Sequence, residues 1–244
     1  MRSASGKRQR QTARIPARTQ AGHAYGPGAA LSVLKFPFSE ATPIVMTTVN
    51  QSKERILAAA KELFLACGYA ATTVDAICEK AELTKGSFYY SFDSKEDLGI
   101  AVLDWSLRRS VGMLASGPHV RIADPVEKAF SFLKHLEKCS PDLWSAGCLL
   151  GSFALELADT NSRMQQAVAG MFQAVADNFA ENLQPIAAEC AGKQARAASE
   201  LADTLLGVVE GSIILAKAHR DPTRIPRAIR GFRRSLERLV AEPA

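Results

Sequence analysis

The 244-residue chain is expected to be all-α. Apolar residues recur at spacings of three and four through nearly every segment from Asn50 onward. No stretch alternates with period two over a useful length, and the breaks carry helix punctuation: Gly68, Gly117-Pro118, Asp124-Pro125 and Asp221-Pro222.

In order, Ile56, Ala60, Leu63, Phe64 and Cys67 mark one face of a first helix ended by Gly68. A second helix, about residues 73–81, turns Val74, Ile77, Cys78 and Ala81 inward, and a short third, about residues 85–90, follows Thr84. Ser94 with Asp97 three residues on reads as a capping box for a fourth, which carries Leu98, Val102, Trp105, Leu107 and Val111. Asp124 is a candidate N-cap with proline at the first position of the fifth helix. A sixth is expected over about 145–158, and a long seventh follows Asn161, with Met164, Val168, Met171, Phe172, Val175, Phe179 and Leu183 on one stripe. Two more fill about 193–219 and 222–240.

Composition bounds the function classes. Hydrophobic residues at 47% and charged residues at 23% are those of a globular protein. Glu156 and Glu210 interrupt the longest apolar runs, so no membrane span is expected. Cys67, Cys78, Cys139, Cys148 and Cys190 are odd in number and form no CxxC pair. Neither a disulfide framework nor a metal site is indicated, and a reducing cytoplasm is the expected compartment. Residues 1–45 hold seven Lys/Arg against the single acid Glu40, so they carry more than the whole net charge of +5. Bulk charge therefore says little about the folded part. Residues 1–46 read as a disordered basic tail, an organelle transit peptide, or a leader ahead of a start at Met46.

Residues 47–98 read as a helix-turn-helix unit, with the larger helical domain in 99–244. Phe88 and Phe92 are four apart and anchor the short third helix. Its outward face then holds Lys85, Ser87, Tyr89 and Tyr90, while Gly86 lets backbone approach a duplex closely. Tyrosine hydroxyls can donate to phosphates, the rings can meet thymine methyls, and Lys85 can reach guanine acceptors. Lys95 is expected in the first turn of the fourth helix as a phosphate clamp, with Thr72 and Thr73 serving alike at the second. Lysine and tyrosine on a short exposed helix are also ordinary solvated surface, so it is the capped pattern as a whole that favours DNA.

The run "RILAAAKELFLACGYAATTVDAICEKAELTKGSFYYSFDSKEDL" resembles the DNA-binding domain of the TetR (tetracycline-repressor-like) regulators. That resemblance implies operator contacts by Thr72, Thr73, Lys85 to Tyr90 and Lys95. It further implies a ligand-binding and dimerising domain in the helical remainder, with repression of a palindromic operator relieved by a small-molecule effector. Three departures stand out. Glu82 occupies a turn position that favours φ > 0 and often holds Gly, at a cost of about 1 kcal/mol; Ser91 replaces a common histidine, and Asp93 sets a negative charge near expected phosphates.

In the second domain, "SAGCLLGSFALELAD" would place Cys148 at N3 of its helix if Ser145 were the N-cap, where backbone N–H groups stabilise a thiolate. The run resembles a TetR subgroup with N-ethylmaleimide- and acrylate-responsive repressors, which implies an electrophile sensor at Cys148. A small buried core cysteine is the competing reading. Trp105, Phe130, Phe153, Met171 and Phe172 lie on inward faces as cavity lining or plain core, and His119 and His135 read as lone, partly exposed side chains. Gly207 and Gly211 in "LADTLLGVVEGSIILAKAHRD" allow close helix approach for a homodimer. No Glu-x-x-His pair, nucleophile elbow, P-loop or dinucleotide fingerprint is present, so neither an enzyme nor a cofactor is expected. A helical interaction module without DNA binding is the alternative.

Overall fold

The computed structural model describes residues 48–190 and 197–241. The basic segment 1–45 and the expected helix start near residue 193 lie outside the described residues. Within them, nine α-helices and no strand occur: α1 (Thr48–Cys67), α2 (Val74–Lys80), α3 (Lys85–Ser91), α4 (Lys95–Ala115), α5 (Pro125–Trp144), α6 (Leu149–Leu157), α7 (Ser162–Glu189), α8 (Ala198–His219) and α9 (Arg224–Ala241). A 3-10 turn at Pro118–Arg121 links α4 to α5. No helix among the described residues is long and apolar enough to cross a membrane.

The helix starts are set by side chains that satisfy orphan backbone donors. Thr73 accepts from the Ala76 N–H, Thr84 from Ser87, Ser94 from Asp97, Asp124 from Glu127 and Asn161 from Met164. The turn between α2 and α3 bends at Glu82, whose φ of 51° is the left-handed conformation its position implied. Pro141 deprives the Glu137 carbonyl of its helical partner inside α5, and the buried Ser140 hydroxyl donates to that carbonyl instead, at 2.8 Å.

Two apolar cores share α7. The first joins α1–α4 to α6 and the N-terminal half of α7, around a cluster of Phe64, Tyr69 and Phe153 with ring centroids 5.3–5.4 Å apart. The second joins the end of α4 to α5, the C-terminal half of α7, α8 and α9. Cys148 and Val175 pack against both. Because the first core runs through α6 and α7, the helix-turn-helix unit is bolted to the second domain rather than tethered to it. Arg163 at the start of α7 completes the join, reaching Glu96 (2.9 Å) and Asp97 (2.7 Å) in the first turn of α4.

Several expectations are corrected. Ser145 caps the C-terminus of α5, not the N-terminus of α6. Gly147, at φ 119°, turns the chain there, so Cys148 itself becomes the N-cap and α6 begins at Leu149. His119 is buried in the 3-10 turn, against Phe132 and 5.8 Å from the His135 ring, so the two histidines are neighbours. Trp105 faces α1, donating to Glu54 at 2.8 Å with Arg109 over its ring.

Candidate functional site

The short α3 stands on its aromatic anchors. Phe88 is fully buried and Phe92 nearly so, with ring centroids 5.9 Å apart. That anchoring leaves Tyr89 57% exposed, its ring edge-on to Phe88 at 5.1 Å, and Tyr90 77% exposed, with Lys85 and Gly86 also exposed. Ser87 is half-buried, its hydroxyl 3.1 Å from that of Thr84. Lys85 pairs with Asp75 across the turn at 2.7 Å, and this hydrogen bond raises the lysine above its ordinary range. The cation is thereby held at the foot of α3, on a pair exposed enough for a phosphate or base edge to compete for it.

The threonines differ from each other. Thr73 caps α2 and remains exposed, so its hydroxyl hydrogen is free to donate outward. Thr72 is only 3% exposed and donates to the Gly68 carbonyl at 2.7 Å, so it holds the loop and does not face a duplex. Lys95 is likewise turned inward. Its Nζ donates to the carbonyls of Tyr69 (3.1 Å), Ala70 (3.4 Å) and Thr72 (3.0 Å) and sits 4.4 Å from the Tyr69 ring centroid. The expected phosphate clamp is engaged by the loop between α1 and α2. Lys53, not singled out in the sequence, is exposed 5.4 Å from the Phe92 ring centroid, which brings a cation to the end of α3. Nothing in its local sequence marks it, because the proximity arises from the packing of α1 on α3.

A cavity of about 90 Å³ lies where α1 meets the second domain, among α1, α4, the end of α5, α6, α7 and α8. Leu103, Leu107, Trp144, Phe172 and Phe179 give it apolar walls, with Lys61, Ser106, Ser110, Asn178 and Glu210 among its polar groups. Of the expected lining residues, Cys148 and Phe172 are there, whereas Trp105, Phe130, Phe153 and Met171 are not. Phe153 belongs to the first core, Met171 packs against it, and Phe130 packs against the second. An outer cavity of about 480 Å³, bounded by the 3-10 turn, α5 and α7, shares Val111, Leu114 and Asn178 with the inner one.

At the start of α6, the Cys148 sulfur accepts from the Gly151 N–H at 3.4 Å. A helix start favours thiolate, yet burial pushes this thiol well above its ordinary range, and the adjacent Glu210 carboxylate pushes it the same way. Desolvation outweighs the cap, which favours the core-cysteine reading of Cys148 over the thiolate one. Burial also raises the Glu210 carboxyl, while its hydrogen bond with Cys148 pulls the other way. Gly151 makes room for this acid: a Cβ at that position would lie 2.6 Å from Glu210 Oε2.

Residues 56–102 match the family model described as bacterial regulatory proteins, tetR family, and residues 125–230 match that of the transcriptional regulator LmrA/YxaF-like C-terminal domain. An uncharacterised HTH-type transcriptional regulator of Lactococcus lactis is 26% identical over 180 residues, 71% of this chain and 87% of its own. The HTH-type transcriptional regulator LmrA of Bacillus subtilis is 27% identical over 178 residues, covering 71% of this chain and 90% of the relative. Among solved structures, reduced NemR of Escherichia coli superposes with a TM-score of 0.63 at 21% identity, covering 79% of this chain and 99% of that one.

Proposed function

Because the chain belongs to the tetR family of bacterial regulatory proteins, and so is a helix-turn-helix transcriptional regulator, we propose that it is a homodimeric repressor acting in the cytoplasm. It reads a palindromic operator with α3 and leaves it when a small molecule occupies the inner cavity. The observation that carries the DNA-reading role is the exposure of Tyr89 and Tyr90 beside Lys85 on a helix whose other face is locked by Phe88. Two large aromatic rings left in water on a rigid seven-residue element suit base and phosphate contact. Tyr89, Tyr90 and Lys85 meet the groove, while Thr73 and Lys53 meet the backbone.

The cavity favours a compact, largely apolar effector with a hydrogen-bond donor or cationic group for Glu210. Ligand pockets usually run to roughly 300–1,000 Å³, so a larger effector has to spread the helices that enclose about 90 Å³. With its thiol held protonated, Cys148 favours a non-covalent effector over an electrophile.

The test uses a duplex recovered by the full chain from a random pool. Lys85→Ala together with Tyr89→Ala should lower affinity for it by at least about 100-fold and leave the helical circular-dichroism spectrum unchanged. Undiminished affinity would mean that another face meets DNA, and failure to recover any duplex would favour a helical interaction module.

A further inference from the structure

We propose that Glu156 is the positioning residue through which the inner cavity sets the attitude of the DNA-reading helices. The inference rests on the DNA-reading role given above. Glu156 lies in the last turn of α6, and its carboxylate leaves the second domain to grip the loop between α1 and α2. Oε2 accepts from the Tyr69 N–H at 2.8 Å and Oε1 from the Ala70 N–H at 2.6 Å. These are charge-assisted bonds spread over both oxygens, a geometry that fixes direction as well as distance.

The loop is shaped for that grip. Gly68 adopts φ 86°, and a Cβ there would lie 3.1 Å from Glu156 Oε2, so glycine serves both the backbone bend and the carboxylate's approach. A few residues on, the loop ends at Thr73, the N-cap of α2, and α2 leads through its turn into α3. Lys95 holds the carbonyl side of the same loop. The loop therefore has no slack: a displacement of Glu156 has to move the entry to α2 or break two bonds.

The other end of α6 lies in the cavity wall. Cys148, Leu149 and Leu150 line the cavity, and Glu156 lies eight positions beyond Cys148, about 12 Å along a helix. A nine-residue helix moves as a rod. An occupant that presses on its N-terminal turn shifts the carboxylate at its C-terminal turn directly against the loop.

Amide exchange on the full chain tests this without an effector. Tyr69 and Ala70 amides should be protected in the parent, and Glu156→Gln should speed their exchange at least about tenfold, with the helical circular-dichroism spectrum unchanged. Cys148→Phe, which forces bulk into the cavity wall, should speed the same two amides. It should also weaken binding to the recovered duplex in the parent but not further in the Glu156→Gln background. If Cys148→Phe does not fold, Gly151→Ala takes its place, because its methyl must displace Glu210. Unchanged Tyr69 and Ala70 exchange in the cavity variant, or losses in DNA affinity that simply add, would overturn the proposal. Exchange coupling without any duplex binding would support the Glu156 linkage and overturn the DNA-reading role instead.

Discussion

Lys95 and Glu156 hold opposite sides of one loop. The ammonium of Lys95 in α4 collects the carbonyls of Tyr69, Ala70 and Thr72, and the carboxylate of Glu156 in α6 collects the N–H groups of Tyr69 and Ala70. The backbone donors and acceptors of a tight turn are thus satisfied by two charges of opposite sign from two different helices.

Lys95→Ala should therefore act on stability before it acts on DNA. Loss of its hydrogen bonds should lower the unfolding free energy by about 1–2 kcal/mol, read as a shift in urea midpoint at constant slope. The salt dependence of operator binding should change by less than the one unit that a phosphate contact carries. A full unit of change with stability intact would show the lysine released to phosphate on binding.

Glu210→Gln should stabilise the protein at alkaline pH. Burial raises the folded-state pKa of Glu210 above its unfolded value, so the folded chain holds that proton more tightly. The resulting stability is present below the unfolded value near ~4.3 and is lost as pH rises through the folded one. At pH 4 parent and variant should melt together, and at pH 8 the glutamine chain should melt higher by roughly 2–4 °C. A variant that melts lower at pH 8 would show that the charged carboxylate has a favourable partner.

Much of this architecture was legible locally. The caps Thr73, Thr84, Ser94, Asp124 and Asn161 and the left-handed Glu82 are decided by neighbours within a few residues, so sequence spacing exposes them. Two misjudged positions turn on small local offsets. Thr72 and Thr73 are adjacent, yet one points inward and one outward, and Gly147 delays α6 so that Cys148 caps it. The acids that matter most were the least visible. In the sequence Glu156 and Glu210 are interruptions of apolar runs, because their partners come from distant parts of the chain: Tyr69 lies 87 residues from Glu156, and Glu210 on α8 meets Cys148 at the start of α6.

The exposed face of α8 should be the dimer contact. Ile214 is 56% and Leu215 49% exposed, and nothing lies within 4 Å of a Cβ placed at Gly207 or Gly211. Ile214→Glu should convert the dimer to monomer in sedimentation at micromolar concentration and cost about 100-fold or more in operator affinity, because two linked half-site contacts become one. An unaltered sedimentation coefficient would move the interface elsewhere.

Selection of duplex DNA from a random pool by the full-length protein tests the central claim most directly. The expected product is a two-fold symmetric site whose half-site centres lie about 34–36 Å apart, or a near multiple, as two copies of α3 in a symmetric dimer require. Recovery of sites without two-fold symmetry, or no enrichment of any sequence, would contradict it.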